Sequence, residues 1–117
     1  MTLYEQYFAY LFEREGIRVI THPNAFALVK PLNEQELYLQ DVYVDPAYRS
    51  GITMKRLYDK IVQYAQSNGY LWLITTHDCS ANNVELGLQN TLRYGFKIIK
   101  LDGTVIVCAK DLGEANG

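Results

Sequence analysis

The chain has too few cysteines for a disulfide scaffold and too little positive charge for a nucleic-acid binder. Its two cysteines, Cys79 and Cys108, lie far apart and match no metal-ligand spacing. Free thiols point to a reducing compartment, so a cytoplasmic location is expected. Lysine and arginine total 11 against 13 acidic residues, a net charge of −2, without the basic excess that nucleic-acid binding needs. No apolar run approaches the ~20 residues of a membrane-spanning helix. No basic-then-apolar leader pattern opens the chain. Repeats, low-complexity tracts and linkers are also missing. The 117 residues are therefore expected to form one domain, 1–117, with the polar tail 113–117 frayed. Tyrosine is plentiful, with ten copies. Its apolar ring and polar tip suit a core edge or a half-wet groove.

The stretch from Leu37 to Gly69 organises the rest. An alternating apolar run, Leu37 and Leu39, passes into Val42-Tyr43-Val44 and breaks at Asp45-Pro46. After a polar turn over 47–51, apolar residues at Ile52, Leu57, Ile61, Val62 and Ala65 take helical spacing until Asn68-Gly69. A helix that starts straight off a strand aims its free N–H groups at whatever lies beyond the strand, which makes an anion site.

Around this stretch the elements follow in order. Thr2-Leu3-Tyr4-Glu5 reads as a capping box opening an amphipathic helix, with apolar residues at 3, 4, 7, 8, 11 and 12 on one broad buried face. Gly16 closes it in a left-handed cap. Strands at 17–21 and 25–30 flank a His22-Pro23-Asn24 turn, and a second turn at 31–35 leads to the strand at 36–44. Three strands joined by short turns must be antiparallel neighbours. The strand at 70–76 follows a helix, so a parallel crossover is expected. A polar loop at 77–83, a short helix from Val84 to Arg93, and a hairpin of strands 96–100 and 104–109 around Leu101-Asp102-Gly103, with Asp-Gly as the tight-turn signal, complete the chain.

This order, together with Val42-Tyr43-Val44-Asp45-Pro46-Ala47-Tyr48-Arg49, resembles the GNAT superfamily of acyl-CoA N-acyltransferases and its V-x-P-x-Y-R lead-in to a pyrophosphate loop. Leu57, Ala65 and Gly69, then Asn83 and Gly95-Phe96, continue the likeness over roughly residues 17–109. R-S-G-I-T-M, from Arg49 to Met54, looks nearest to a looser R-G-G-x-x-G-like loop of phage-type members. The resemblance implies an α+β (α/β) fold: a mixed, mostly antiparallel twisted sheet, helices on both faces, and a V-shaped splay between the strands at 36–44 and 70–76. It also implies that acetyl-CoA (coenzyme A) is the cofactor. The pantetheine arm would lie along Val42, Tyr43 and Val44, and the pyrophosphate on the N–H groups of Ser50, Gly51, Ile52, Thr53 and Met54 beside Arg49, with Asn83 nearby. A backbone N–H around Val42 to Val44 would polarise the acyl carbonyl. The chain departs from the family where Ile52 and Met54 stand at glycine positions and Thr91 at a frequent tyrosine position.

Asp41, just before the expected splay, is the candidate general base; its alternative is a solvent-facing strand carboxylate. His77 is a further candidate base, since its loop would border the groove. Neighbours in an extended segment point apart, so His77-Asp78-Cys79 reads as a polar loop and not as a triad. Tyr94 is a candidate acid, although it lies on a different helix face from the family's tyrosine. Thr53 either binds phosphate or caps the helix. Tyr38, Tyr43 and Tyr48 line the acceptor side or pack at the core edge. Cys108 reads as a small buried hydrophobe.

Two functions follow: acetyl transfer from acetyl-CoA to a primary amine by direct attack, or a non-catalytic GNAT-like module that binds coenzyme A or a protein. Neither metal, nucleic acid nor membrane is expected as a partner. The family usually has a strand before the first helix, which is not seen here; the exposed sheet edge this implies could be covered in a homodimer.

Overall fold

The computed structural model describes residues 2–49, 51–82 and 84–113. Its elements are α1 (Leu3–Glu15), β1 (Arg18–His22), β2 (Ala25–Pro31), β3 (Glu36–Val44), a 3-10 turn (Pro46–Tyr48), α2 (Ile52–Ser67), β4 (Trp72–Asp78), α3 (Val84–Arg93), β5 (Lys97–Asp102) and β6 (Val105–Asp111). The strands form one sheet in the order β1-β2-β3-β4-β6-β5. Neighbours are antiparallel except β3 and β4, which run parallel on either side of the α2 crossover. This is the mixed α/β sheet that the pattern of elements predicts.

Local chemistry sets the boundaries. Thr2 accepts the Glu5 N–H and donates to the Glu5 carboxylate, and Gly16 takes φ +71° at the other end of α1. The β1–β2 turn is two residues long, with Asn24 at φ +66°. β4 starts two residues later than the pattern predicts, because the Tyr70 N–H still bonds back to the Ala65 carbonyl and belongs to the α2 cap. In consequence His77 and Asp78, expected in a loop, are the last residues of β4. The last hairpin is likewise tighter than expected, with Asp102 paired to Val105 around Gly103-Thr104.

The core lies between the sheet and α2. Val29, Leu37, Leu57, Ile61, Leu73, Cys108 and Leu112 are completely enclosed. Burial pushes the Cys108 thiol above its ordinary pKa, so it stays a neutral apolar group there. Ile20 packs on this core, whereas its neighbour Val19 lines a hollow with Phe8, Ala9 and Phe12 of α1. Successive strand residues face opposite sides, so α1 and α2 lie against opposite faces.

The broad buried face expected of α1 is not buried. Leu11 alone is enclosed, while Leu3, Tyr4, Tyr7, Tyr10 and Phe12 are exposed. The reason is placement: α1 rests against β1, the outermost strand, so most of its apolar stripe projects past the sheet.

Truncation should separate the two surfaces. Leu57→Ala, at 0% exposure, is expected to cost about 2–5 kcal/mol in urea denaturation. Leu3→Ala, at 79% exposure, should stay within about 0.5 kcal/mol of the parent. Equal losses would contradict this division of the apolar residues.

Candidate functional site

β3 and β4 pair only over Glu36–Trp72, Leu37–Leu73 and Tyr38–Ile74, then part. A bulge drives them apart. Leu28 lies opposite Asp41 and Val29 opposite Leu39, so Gln40 is an extra residue in β3. Such an insertion bends and twists its strand. It also reverses the alternation: Leu37 and Leu39 face the core before it, Val42 and Val44 after it.

Two side-chain bonds bridge the fork. The Thr75 hydroxyl donates to the Leu39 carbonyl at 3.1 Å, in a buried position. The Tyr38 and Thr76 hydroxyls meet at 2.8 Å. Beyond them the β4-facing edge of Val42, Tyr43 and Val44 has no strand partner among the described residues. A free strand edge can take an extended, amide-bearing chain as an added strand.

The same strand leads into the start of α2. Asp45 caps the 3-10 turn through the Ala47 N–H at 3.0 Å. Arg49 donates its Nε to the Val44 carbonyl at 2.8 Å, and its guanidinium lies 5.6 Å from the Tyr43 ring centre. Gly51 occupies the N-cap of α2 at φ +99° with no side-chain cap, and a Cβ added there would meet nothing within 4 Å. Ile52 turns largely to solvent, Met54 packs on the core and Thr53 is half-buried. An uncapped helix start, an adjacent guanidinium and a free strand edge suit a ligand with an anionic end and an extended amide arm. That is the chemistry of coenzyme A, so the residues present fit it. Ser50 and Asn83, and residues 114–117 of the tail, lie outside the described residues.

Asp41 follows the bulge and is exposed; its carboxylate accepts the Val42 N–H at 2.9 Å. That N–H is therefore engaged; the Tyr43 N–H, in step with the Asp45 N–H that bonds to the Asn24 carbonyl, faces β2, which leaves Val44 as the other backbone donor on the open edge. His77 sits on the face of β4 toward α3, with Nε2 2.7 Å from the Thr91 hydroxyl. Gly87 of α3 lies over the ring: a Cβ there would be 3.4 Å from the imidazole, in ordinary van der Waals contact. Burial holds the His77 pKa below 6.5, so the ring is neutral at neutral pH. Asp78 turns away to accept the Ser80 N–H and hydroxyl, bonds that lower its pKa. Thus His77, Asp78 and the exposed Cys79 do not converge.

The Tyr94 ring stacks on Tyr58 at 4.4 Å. Its carbonyl, at the end of α3, accepts from the Tyr58 hydroxyl and the Lys110 ammonium, each at 2.8 Å. Burial raises the Tyr58 pKa and lowers that of Lys110. On the opposite face of the sheet, Tyr43 stacks on Phe26 at 5.6 Å, both exposed, and Tyr48 is exposed as well. Sequence reasoning passed over Thr75 and Thr76. Two adjacent threonines in an otherwise apolar strand were the available signal for both.

Among the described residues no cluster of three metal-ligating side chains occurs, and no helix is long and apolar enough to cross a membrane.

The model of the acetyltransferase (GNAT) family matches residues 2–86. No curated protein matches the sequence. Among solved structures, a GNAT family acetyltransferase from Elizabethkingia anophelis with acetyl-CoA bound is similar with a TM-score of 0.64 and 12% identity, over 74% of this chain and 67% of that one. The PaiA N-acetyltransferase from Thermoplasma acidophilum, in complex with coenzyme A, gives 0.65 and 20% identity, over 74% and 52%. An IAA acetyltransferase from Bacillus cereus gives 0.62 and 13%, over 74% and 69%. The chain thus spans about half to two thirds of the length of these structures.

The burial of His77 has a measurable consequence. An NMR titration should place its midpoint below 6.5. Because the folded value is the lower one, the stability tied to the neutral ring is complete above about 6.5 and is lost as pH falls through the depressed midpoint. A midpoint at or above 6.5 would contradict the packing described.

Proposed function

The chain belongs to the acetyltransferase (GNAT) family, and from that premise we propose that it moves an acetyl group from acetyl-CoA to a primary amine. The acceptor is a protein lysine or N-terminus, or a small amine. One observation carries this reading: the fork between β3 and β4 leaves the free edge of Val42 to Val44 leading directly to the uncapped start of α2.

When bound, acetyl-CoA supplies the acyl group as an activated thioester. The rest falls to the chain's own residues. The N–H groups of Gly51, Ile52, Thr53 and Met54, with Ser50 and the Arg49 guanidinium, would hold the phosphates. The backbone of Val42, Tyr43 and Val44 would hold and orient the amide arm. Val44 would offer the N–H to the acyl oxygen, because Val42 donates to Asp41 and the Tyr43 N–H faces β2. Asp41 accepts the amine proton, directly or through a water. The amine enters from the face where Phe26 and Tyr43 are stacked and exposed. His77 remains neutral beside Thr91, within β4 and α3. Tyr94 is committed by ring stacking to Tyr58.

One observation favours a second reading, a module that binds coenzyme A or a protein without turnover. Thr91 stands where the family often has a tyrosine, and its hydroxyl is taken up by His77.

Calorimetry with acetyl-CoA is expected to show binding in the micromolar range, weakened about tenfold by Arg49→Ala. No binding by a folded chain would overturn both coenzyme readings. In a thiol-release assay with lysine peptides and polyamines, Asp41→Asn should lower turnover at least ~100-fold with acetyl-CoA binding intact. Unchanged turnover would remove Asp41 as base; binding without turnover by the parent chain would favour the second reading.

A further inference from the structure

β5 lies at the end of the sheet opposite β1, with β6 as its one strand neighbour among the described residues, and all six of its residues are exposed. Ile98, Ile99 and Leu101 are 52%, 55% and 66% exposed. Large apolar side chains on a free edge favour strand pairing. The bulge in this strand gives the edge its particular character. Ile98 lies opposite Cys108 and Lys100 opposite Val107, so Ile99 is the extra residue.

Three positions apart in a regular strand, Ile98 and Leu101 would face opposite sides. Across the bulge they share one. Their partners, Cys108 and Ile106, are respectively in the core and packed on it. Lys97, Lys100 and Asp102, opposite Ala109, Val107 and Val105, occupy the other face. The apolar core face therefore runs off the edge of the sheet.

We infer that this edge pairs antiparallel with β5 of a second copy of the chain, joining two sheets across a two-fold axis. In the register that overlaps all six residues, Lys97 lies opposite Asp102 of the second copy, Ile98 opposite Leu101, and Ile99 opposite Lys100, each pair occurring twice. The faces agree as well as the charges. An axis perpendicular to the sheet continues each face into its own counterpart. Ile98 and Leu101 of both copies then make one apolar patch of four. The two Lys97–Asp102 pairs stand on the other face, with Cβ atoms about 5 Å apart. Lysines and a bulge on an edge ordinarily repel foreign strands. Here the strand carries the complement to its own Lys97, which selects a second copy over an unrelated strand. The pairing goes beyond the proposed activity and does not depend on it.

Sedimentation velocity on the full chain from about 1 to about 200 μM tests the pairing, with circular dichroism confirming the fold of each variant. The parent chain is expected to dimerise in that range. Lys97→Glu and Asp102→Lys should each weaken dimerisation at least ~10-fold, by setting like charges opposite each other, and the double variant should recover to within ~3-fold of the parent. Leu101→Lys should abolish it. A parent chain that stays monomeric, a dimer indifferent to these substitutions, or a double variant no better than the singles would overturn the inference.

Discussion

The fork between β3 and β4 is the constraint on which the rest of the structure depends. Two parallel strands that stayed paired to their ends would bury the backbone of Val42 to Val44 in the sheet and leave no room beside it. The extra residue Gln40 prevents this by bending β3 away after three paired positions. The fork still needs its polar groups satisfied. Thr75 supplies the bond that the Leu39 carbonyl would otherwise take from β4, and Tyr38 and Thr76 close the other face.

A fork of this kind is useful only if both arms are rigid. On one side, Val44 and Leu39 are anchored beneath α2, whose Leu57 and Ile61 are completely enclosed. On the other, β4 is sandwiched between β3 and β6, and α3 is tied to it through His77 and Thr91. The far end of α3 is secured separately, by the Tyr58 hydroxyl and Lys110 on the Tyr94 carbonyl, where a cation also meets the negative end of the helix dipole. The proposed cofactor surface is thus backbone held by a packed core, and so depends little on which side chains occupy the loop. This explains why Ile52 and Met54 need not block it: Ile52 faces solvent and Met54 the core.

Much of this was legible in the sequence, because it is local. The limits of β3, α2 and α3 follow from periodicity and from breakers such as Asp45-Pro46 and Asn68-Gly69. The resemblance carried by Val42 to Arg49 led to the splay. The change of phase from Leu37 and Leu39 to Val42 and Val44 is the trace of the bulge, visible once its meaning is known. Bonds between residues 36 to 38 positions apart, Thr75 with Leu39 and Tyr38 with Thr76, leave no such trace. The α1 stripe misled for a physical reason: periodicity reports that a face is apolar, not that anything covers it. Polarity points His77 to a loop, whereas long-range antiparallel pairing with β6 extends β4 to Asp78.

The central claim is that coenzyme A lies in this fork, with its phosphates on the start of α2. Backbone NMR with coenzyme A titrated into the labelled chain addresses it residue by residue. The account predicts amide shifts concentrated at Val42 to Val44 and Gly51 to Met54, with the β1–β2 turn unmoved. Shifts confined to other elements, or none at millimolar coenzyme A, would contradict it.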